Sequence, residues 1–297
     1  MSLWVLFTLA AAAMQTLRLI LQKQLKGLGL STGGATFSRF LFAAPAACAL
    51  SGLALAVTGD DLPRPGLTFW GWIALGGIAQ IAATFLTVAL FSLRNFAVGV
   101  AFTKTETVQV ALFSALLLGE AVSATGWVAI SIGFGGVMLM SRGGEEGARF
   151  FGRPVIYGLL AGGLFGLSAI GYRGATLELM PLPFFLRALL ALAAATVMQT
   201  IVMSGWLVWR EPGELSRVLA RWRRTVFVGL TGMAGSLGWF TAFSLQNAAY
   251  VRALGQAEIV FTMIASVLVF RERLLGREAF GIGLVILSVL LIVLSFG

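Results

Sequence analysis

Histidine is absent from the 297 residues, and cysteine occurs once. Without imidazole the chain has no His base, proton shuttle or metal ligand. A single Cys48 can form neither an intrachain disulfide nor a thiolate cluster. It lies in an apolar stretch with no activating neighbour, which reads as packing rather than nucleophilic chemistry. Charge is scarce as well. Asp, Glu, Lys and Arg make up 11% of the chain, against about 25% in a soluble domain. So few charges cannot cover a water-facing surface. The hydrophobic share of 59% also excludes disorder, which requires a dearth of apolar residues. With a mean hydropathy of +0.94, what remains is a polytopic membrane protein. No GxxxxGK(S/T), GxSxG, HExxH or CxxC occurs, so ATP hydrolysis on a phosphate loop and the matching hydrolytic, zinc and thiol chemistries have no support.

A helix crossing the apolar core needs about 20 mostly apolar residues. Ten such spans are read, at 3–24, 35–57, 67–92, 96–118, 124–141, 155–176, 182–209, 225–245, 249–270 and 277–296. Turn residues separate them, as at Gly27 to Gly34, Gly59-Asp60-Asp61-Leu62-Pro63, Gly143-Gly144 and Pro181-Leu182-Pro183. The link 210–224 sets Leu215, Val218, Leu219 and Trp222 among arginines, the pattern of a short amphipathic helix at the interface. The first span lacks a basic leader and carries Gln15, Arg18 and Gln22, which argues against a signal peptide. Every tryptophan but Trp239 lies near a span end, as an interfacial belt requires. Trp239 is either core packing or the aromatic wall of a cavity.

Shifting the chain by 152 residues lays 91–120 on 243–272. Eleven of the thirty aligned residues are identical, where composition alone gives about three. The identities include Asn95 with Asn247, Glu106 with Glu258, Ser114 with Ser266 and Glu120 with Glu272. A looser match sets Arg39 beside Arg187. The chain therefore divides into residues 1–142, a linker at 143–153, and residues 154–297. Each half has five spans, and five is odd, so the halves insert in opposite directions. The expected fold is an all-α bundle of ten transmembrane helices, two inverted five-helix repeats around a central cavity. Inverted repeats are a mark of secondary transporters, with the substrate site near the midplane.

Of the 21 Lys and Arg, fourteen fall on one side, in 23–26, 94, 142–153, 210–224 and 271–277. Only Arg64 and Arg173 fall on the other. Positive-inside logic makes the first side cytoplasmic, with that linker, and puts both termini outside an inner (plasma) membrane. The net charge of +9 is thus mainly an orientation signal and not a nucleic-acid footprint.

Five bases and two acids remain inside: Arg18, Arg39, Lys104, Arg187, Arg252, Glu106 and Glu258. Ionisable residues at that depth are costly and are functional candidates by default. Gln15, Arg18 and Gln22 form one polar stripe on the first span. On the fourth span, Glu106 and Gln109 share a face, and Lys104 stands about 200° from Glu106. Arg252, Gln256 and Glu258 follow on the ninth. Two readings stand: ion pairing that fixes helix packing, for example Arg18 with Glu106, or handling of substrate and protons by Glu106 and Glu258. Gln80, Thr84 and Thr87 could line a cavity. Arg39 and Arg187 lie within snorkelling reach of an interface. Glu120 and Glu272 are expected to cap the following helices. Ladders at Gly158, Gly162 and Gly166, and at Gly229, Gly232, Gly235 and Gly238, mark close helix contacts.

Two inverted five-helix halves, with spans four and nine closing on Leu118-Gly119-Glu120 and Arg271-Glu272-Arg273, resemble the drug/metabolite transporter superfamily, and its EamA-type branch above all. The resemblance covers the whole chain and implies a ten-helix basket carrying amino acids, sugars, nucleobases or their derivatives, often outward. Aromatic amino acid exporters share that architecture. Many members place their termini in the cytoplasm, whereas the charge count here places them outside. The expected function is secondary transport of a small polar metabolite, an amino acid first, by alternating access with proton coupling or exchange. Arg18, Lys104 and Arg252 could hold a carboxylate or phosphate, with Gln15, Gln22, Gln80, Thr84, Gln109, Trp239 and Gln256 around them. Glu106 and Glu258 could take an amine or the coupled proton. Organic anions or nucleotide-type metabolites are the alternative cargo, and a lipid flippase or scramblase the alternative machine. No enzymatic role, cofactor, metal, nucleic acid or ATP is expected; lipids are the surroundings, and a monomer suffices.

Overall fold

The computed structural model describes residues 2–26, 29–90, 102–141, 152–261 and 276–296. Expectations resting on Arg94, Asn95, Arg142, Gly143-Gly144, Arg149, Ser266 and Arg271 to Arg273 lie outside these residues, as does nearly all of the linker. Every regular element among the described residues is an α-helix: α1 (Leu3–Lys26), α2 (Thr32–Leu41), α3 (Ala43–Thr58), α4 (Leu67–Leu90), α5 (Glu106–Leu118), α6 (Ala124–Ser141), α7 (Arg153–Glu178), α8 (Phe184–Arg210), α9 (Glu214–Ala220), α10 (Trp222–Leu245), α11 (Ala248–Leu254) and α12 (Gly276–Phe296). Six apolar stretches are long enough to cross a membrane: Leu3–Gln22, Thr32–Thr58, Leu67–Leu90, Arg153–Glu178, Phe184–Arg210 and Trp222–Leu245. Glu106–Leu118, Ala124–Leu139 and Ala279–Ser295 are shorter apolar helices.

The bundle exposes large apolar side chains and buries charged and amide groups within a mainly apolar core. Leu53, Val57, Leu116, Ile201, Phe227 and Leu294 are exposed, while Arg18, Gln22, Glu106 and Gln199 are buried. Water cannot have selected that arrangement, but a lipid solvent does. The second span is not one straight rod. It breaks at Phe42, which ends α2 and begins α3. Pro45 supplies the reason: it has no N–H for the carbonyl of Leu41, and its ring crowds that carbonyl.

Helix pairing follows the sequence repeat. Beside a close packing of α5 on α7, extensive contacts join α4 with α7, α1 with α10, α6 with α12 and α3 with α8. Of these four, exchanging the halves maps the first pair onto the second and returns the last two onto themselves. Glycine makes the first two possible. A Cβ on Gly171 of α7 would lie 2.6 Å from the Cα of Gly76 in α4. A Cβ on Gly238 of α10 would lie 2.9 Å from the carbonyl oxygen of Phe7 in α1. Backbones this close gain dispersion contact that larger residues would prevent. Gly162, expected in a ladder, faces the Thr103 carbonyl, 2.8 Å from its would-be Cβ.

The amphipathic helix expected in the 210–224 link is α9. Val218 is buried in a cluster with Leu25, Phe37, Met203 and Leu207, while Leu219 and Trp222 stay exposed. Two expectations are corrected. Trp4 is no belt residue but is buried in the core, and Trp206 packs over Gly33. Cys48 is not packed inside; it is exposed on an outward apolar groove of about 690 Å³ between α3, the start of α4 and α8. It had looked buried because an apolar neighbourhood in a membrane protein also describes the lipid face.

Overpacking at a backbone contact costs about 1–3 kcal/mol. Gly171→Ala should lower stability in detergent by that much, read as a lower thermal midpoint. Gly52→Ala, on α3 with open space around it, should leave the midpoint unchanged or raise it. Equal effects would contradict the α4–α7 contact.

Candidate functional site

Two of the sequence spans are broken where their ionisable residues lie. Ahead of α5 the backbone turns at Lys104 and Thr105, with Thr105 N–H donating to the Phe102 carbonyl and Val108 N–H to the Thr105 carbonyl. After α11 it turns at Gly255 and Gln256, with Gln256 N–H donating to Ala253 and Glu258 N–H to Gly255. Helical geometry resumes at 257–261. These bonds span three residues, so each break is a tight 3₁₀-like step in an α-helical span, a common mark of a hinge. The steps fall within one residue of equivalent positions of the repeat, Lys104 matching Gln256.

The two breaks are tied across the halves. Lys104 forms an ion pair with Glu258, and Arg252 forms one with Glu106. The charged atoms are largely shielded, with side-chain exposures of 18% and 10% in the first pair and 13% and 7% in the second. Each half thus contributes one acid and one base. Arg252 also lies over the ring of Trp239, 4.6 Å from its centroid. Gln256 donates to the hydroxyl of Thr107 at 3.2 Å, and Thr16 on α1 reaches the Glu258 carbonyl at 3.4 Å.

Arg18 pairs with neither glutamate. It donates to Gln22 Oε1 at 2.5 Å and Gln15 Oε1 at 3.2 Å, within its own helix. Gln22 in turn donates to the Ala35 carbonyl of α2 at 2.8 Å. The expected Arg18–Glu106 pair is therefore corrected: Arg252 and Lys104 take both acids, and the helix-period stripe lets the glutamines solvate Arg18 instead. Arg39 is corrected as well. It does not snorkel but is 4% exposed, and its NH1 donates to Thr84 Oγ1 at 2.8 Å. Gly232 on α10 leaves the room, since a Cβ there would lie 3.4 Å from Arg39 Cγ and 3.2 Å from Arg18 Cδ. Sequence reading missed it because distance from a span end does not tell which way a side chain points.

Gln15, Arg39, Gln80, Tyr172, Trp239 and Arg252 surround a cavity of about 20 Å³. That holds about one water molecule. Phe165, Phe240 and Phe243 complete an aromatic side. Tyr172 and Phe240 approach to 4.1 Å between ring centroids. Tyr172 OH donates to Gln80 Oε1 at 2.9 Å, and Gln199 Nε2 donates to the same oxygen at 2.9 Å. Of the expected site residues, Gln15, Gln80, Trp239 and Arg252 line this cavity. Arg18, Thr84, Lys104, Glu106, Gln256 and Glu258 support it from one contact away or sit at the breaks, and Gln22 lies behind Arg18. Gln109 goes elsewhere: its Nε2 donates to Thr105 Oγ1 at 2.8 Å and to the Leu159 carbonyl of α7 at 3.5 Å. Tyr172 and Gln199 were not singled out in the sequence, since neither falls in the 152-residue repeat match or in a helix-period polar stripe like that of Gln15, Arg18 and Gln22. Among the described residues, no three acids or cysteines converge as a metal would require.

A second polar knot collects repeat residues. Gly119, at a φ of 67°, ends α5 in a left-handed turn, and Glu120 N–H closes back on the Ser114 carbonyl at 3.1 Å. The turn aims Glu120 at Arg173, paired at 2.7 Å, so it holds α7 instead of capping the next helix. Ser114 Oγ donates to Asn247 Oδ1 at 3.2 Å, and Asn247 caps α11 by accepting from Ala249 N–H at 2.8 Å. Arg187 donates to the carbonyls of Thr176 and Ser244, each at 3.3 Å. It too is turned into the protein.

The EamA-like transporter family model matches residues 2–142 and again 152–294. No curated protein matches in sequence. One solved structure, described only as "Crystal structure of protein", aligns with a TM-score of 0.70 over 99% of this chain and 96% of its own, at 14% identity. That likeness is one of fold.

Removing one partner of a shielded pair strands the other and costs about 3 kcal/mol or more. Glu106→Gln should therefore lower thermal stability in detergent more than the double variant Glu106→Gln with Arg252→Gln does. Strict additivity of the two single effects would show that the pair carries no coupling.

Proposed function

The chain belongs to the EamA-like transporter family, and from that premise we propose a secondary active carrier of a small polar metabolite, an amino acid being the first class considered. In this reading the ten spans form two inverted halves around a central cavity, in the inner (plasma) membrane, and one chain is a complete unit. The halves expose the cavity to each side in turn. The observation that carries the reading is the pair of salt bridges joining the broken spans of the two halves. Backbone interrupted at membrane depth, with charge at the interruption, is where carriers bind substrate and coupling ions.

The same pairs suggest how a proton would be coupled. Protonating Glu106 would release Arg252 from it, and protonating Glu258 would release Lys104. Either event loosens one half from the other at a hinge. A cavity that holds about one water is too small for an amino acid, so loading requires these elements to separate. A lipid-moving role loses its expected headgroup track, because Arg39 is buried and Arg187 is bonded to interior carbonyls.

Purified protein in liposomes, tested with a labelled amino-acid mixture, should show both counterflow and uptake driven by a pH gradient. Glu106→Gln should abolish the driven uptake and keep counterflow; unchanged driven uptake would remove Glu106 from coupling.

The charge count puts the termini outside and the 210–224 link in the cytoplasm. In a Cys48→Ala background, Ser2→Cys should react with a membrane-impermeant maleimide in intact cells. The exposed Ser216→Cys should react only after lysis. The reverse pattern would invert the assignment.

A further inference from the structure

The central cavity is lined by several fixed hydrogen-bond donors, and apart from the hydroxyls of Ser168, Ser236 and Tyr172, which can turn either way, its side-chain acceptors are already engaged. Both glutamine oxygens on its wall are spent: Gln15 Oε1 on Arg18, Gln80 Oε1 on Tyr172 and Gln199. Their amide NH2 groups are left for the cavity. The indole N–H of Trp239 is buried without a partner, and the residue is 6% exposed. Arg39, 4% exposed, makes one hydrogen bond among the described residues, through NH1 to Thr84. No described carboxylate pairs with it, whereas Lys104 and Arg252 are each occupied by a glutamate. Arg18 is engaged by its own glutamines. Arg39 is thus the cation left to serve a ligand, and a guanidinium fork matches a two-oxygen anion. Beside it stand Phe240, Phe243 and Phe165, which suit a flat or bulky apolar body.

We infer that Arg39 is the anchor for the substrate's anionic head, and that the cargo is an amphipathic organic anion, a carboxylate with an aromatic or large aliphatic body. Gln15, Gln80 and the Trp239 N–H supply the further donors around that head. Amino acids with large side chains fall within this class through their carboxylate; amines and sugars without an anion fall outside it. The inference rests on the carrier reading for its physiological meaning, but the anchor is measurable by binding alone.

The test uses the full chain in neutral detergent, with 3-phenylpropionate and 3-phenylpropionamide as a near-isosteric pair, the anionic acceptor-only head being exchanged for a neutral one with an NH2 donor. Binding is followed by tryptophan fluorescence and by thermal shift. The carboxylate should bind about tenfold more tightly or better, the range of a charged hydrogen bond. Arg39→Gln should erase the preference, and Arg39→Lys should keep part of it. Thr84→Val, which leaves the charge but frees the guanidinium, should weaken carboxylate binding severalfold without reversing the preference. It also serves if Arg39→Gln does not fold. Phosphatidylglycerol in mixed micelles distinguishes a lipid anion from a soluble one: competition by the lipid at lower concentration than the carboxylate would overturn the assignment to a soluble metabolite. Equal binding of the two probes, no binding of the carboxylate, or a preference that survives Arg39→Gln would overturn the anchor. A protein that binds the carboxylate through Arg39 yet gives no counterflow in liposomes would retain the anchor and remove the carrier reading.

Discussion

The reciprocal salt bridges of Lys104 with Glu258 and Arg252 with Glu106 are the contacts on which the rest of the site depends. A charge at membrane depth has no water to solvate it, so it must be met by an opposite charge or by directed hydrogen bonds. Each pair takes its acid from one half and its base from the other. Neither glutamate is paired with the base of its own half, so bringing the halves together and neutralising the two acids go together. What remains after that neutralisation, Arg39 and Arg18, then sets the sign of the cavity.

The pairs can form because the spans bearing them are broken. A continuous helix holds Lys104 and Glu106 on nearly opposite faces, about 200° apart. The 3₁₀-like step between them changes that geometry, and its counterpart at Gly255 and Gln256 does the same beside Glu258. Close backbone approach supports the arrangement from outside. Gly162 packs on the carbonyl of Thr103 at the first break, and Gly255 packs under the ring of Trp239 at the second, with a would-be Cβ 2.5 Å from the indole. Trp239 carries Arg252 on its face. A small residue, an aromatic ring and a cation are thereby stacked into one support for the second bridge.

Arg18 and Arg39 show how two similar residues are resolved differently. Both are buried basic groups near Gly232. Arg18 has glutamines three residues before and four residues after it, which engage its NH1 and NH2 from its own helix, while its Nε is buried without a partner. Arg39 has one threonine on another helix. The first is a structural residue by this count, and the second keeps capacity for a ligand.

Composition alone determined that the chain lives in a membrane, because 11% charge cannot cover a water-facing surface. The length of the apolar runs marked the long helices, six of them long enough to cross among the described residues, and the 152-residue shift exposed two related halves, which the pairing of α4 with α7 and α1 with α10 repeats in space. The glycine ladders were legible because a residue without a side chain has few uses inside an apolar helix. The polar residues of the interior were legible as candidates, since their cost at membrane depth demands a role. Their partners were not. Which base meets Glu106, which way Arg39 turns, whether Cys48 faces protein or lipid, and where Gln109 goes all depend on the rotation of one helix against another and on two helix breaks. Rotation is set by packing summed over many side chains from distant parts of the chain. A linear pattern of apolar residues, equally apolar toward lipid and toward the core, holds no record of it.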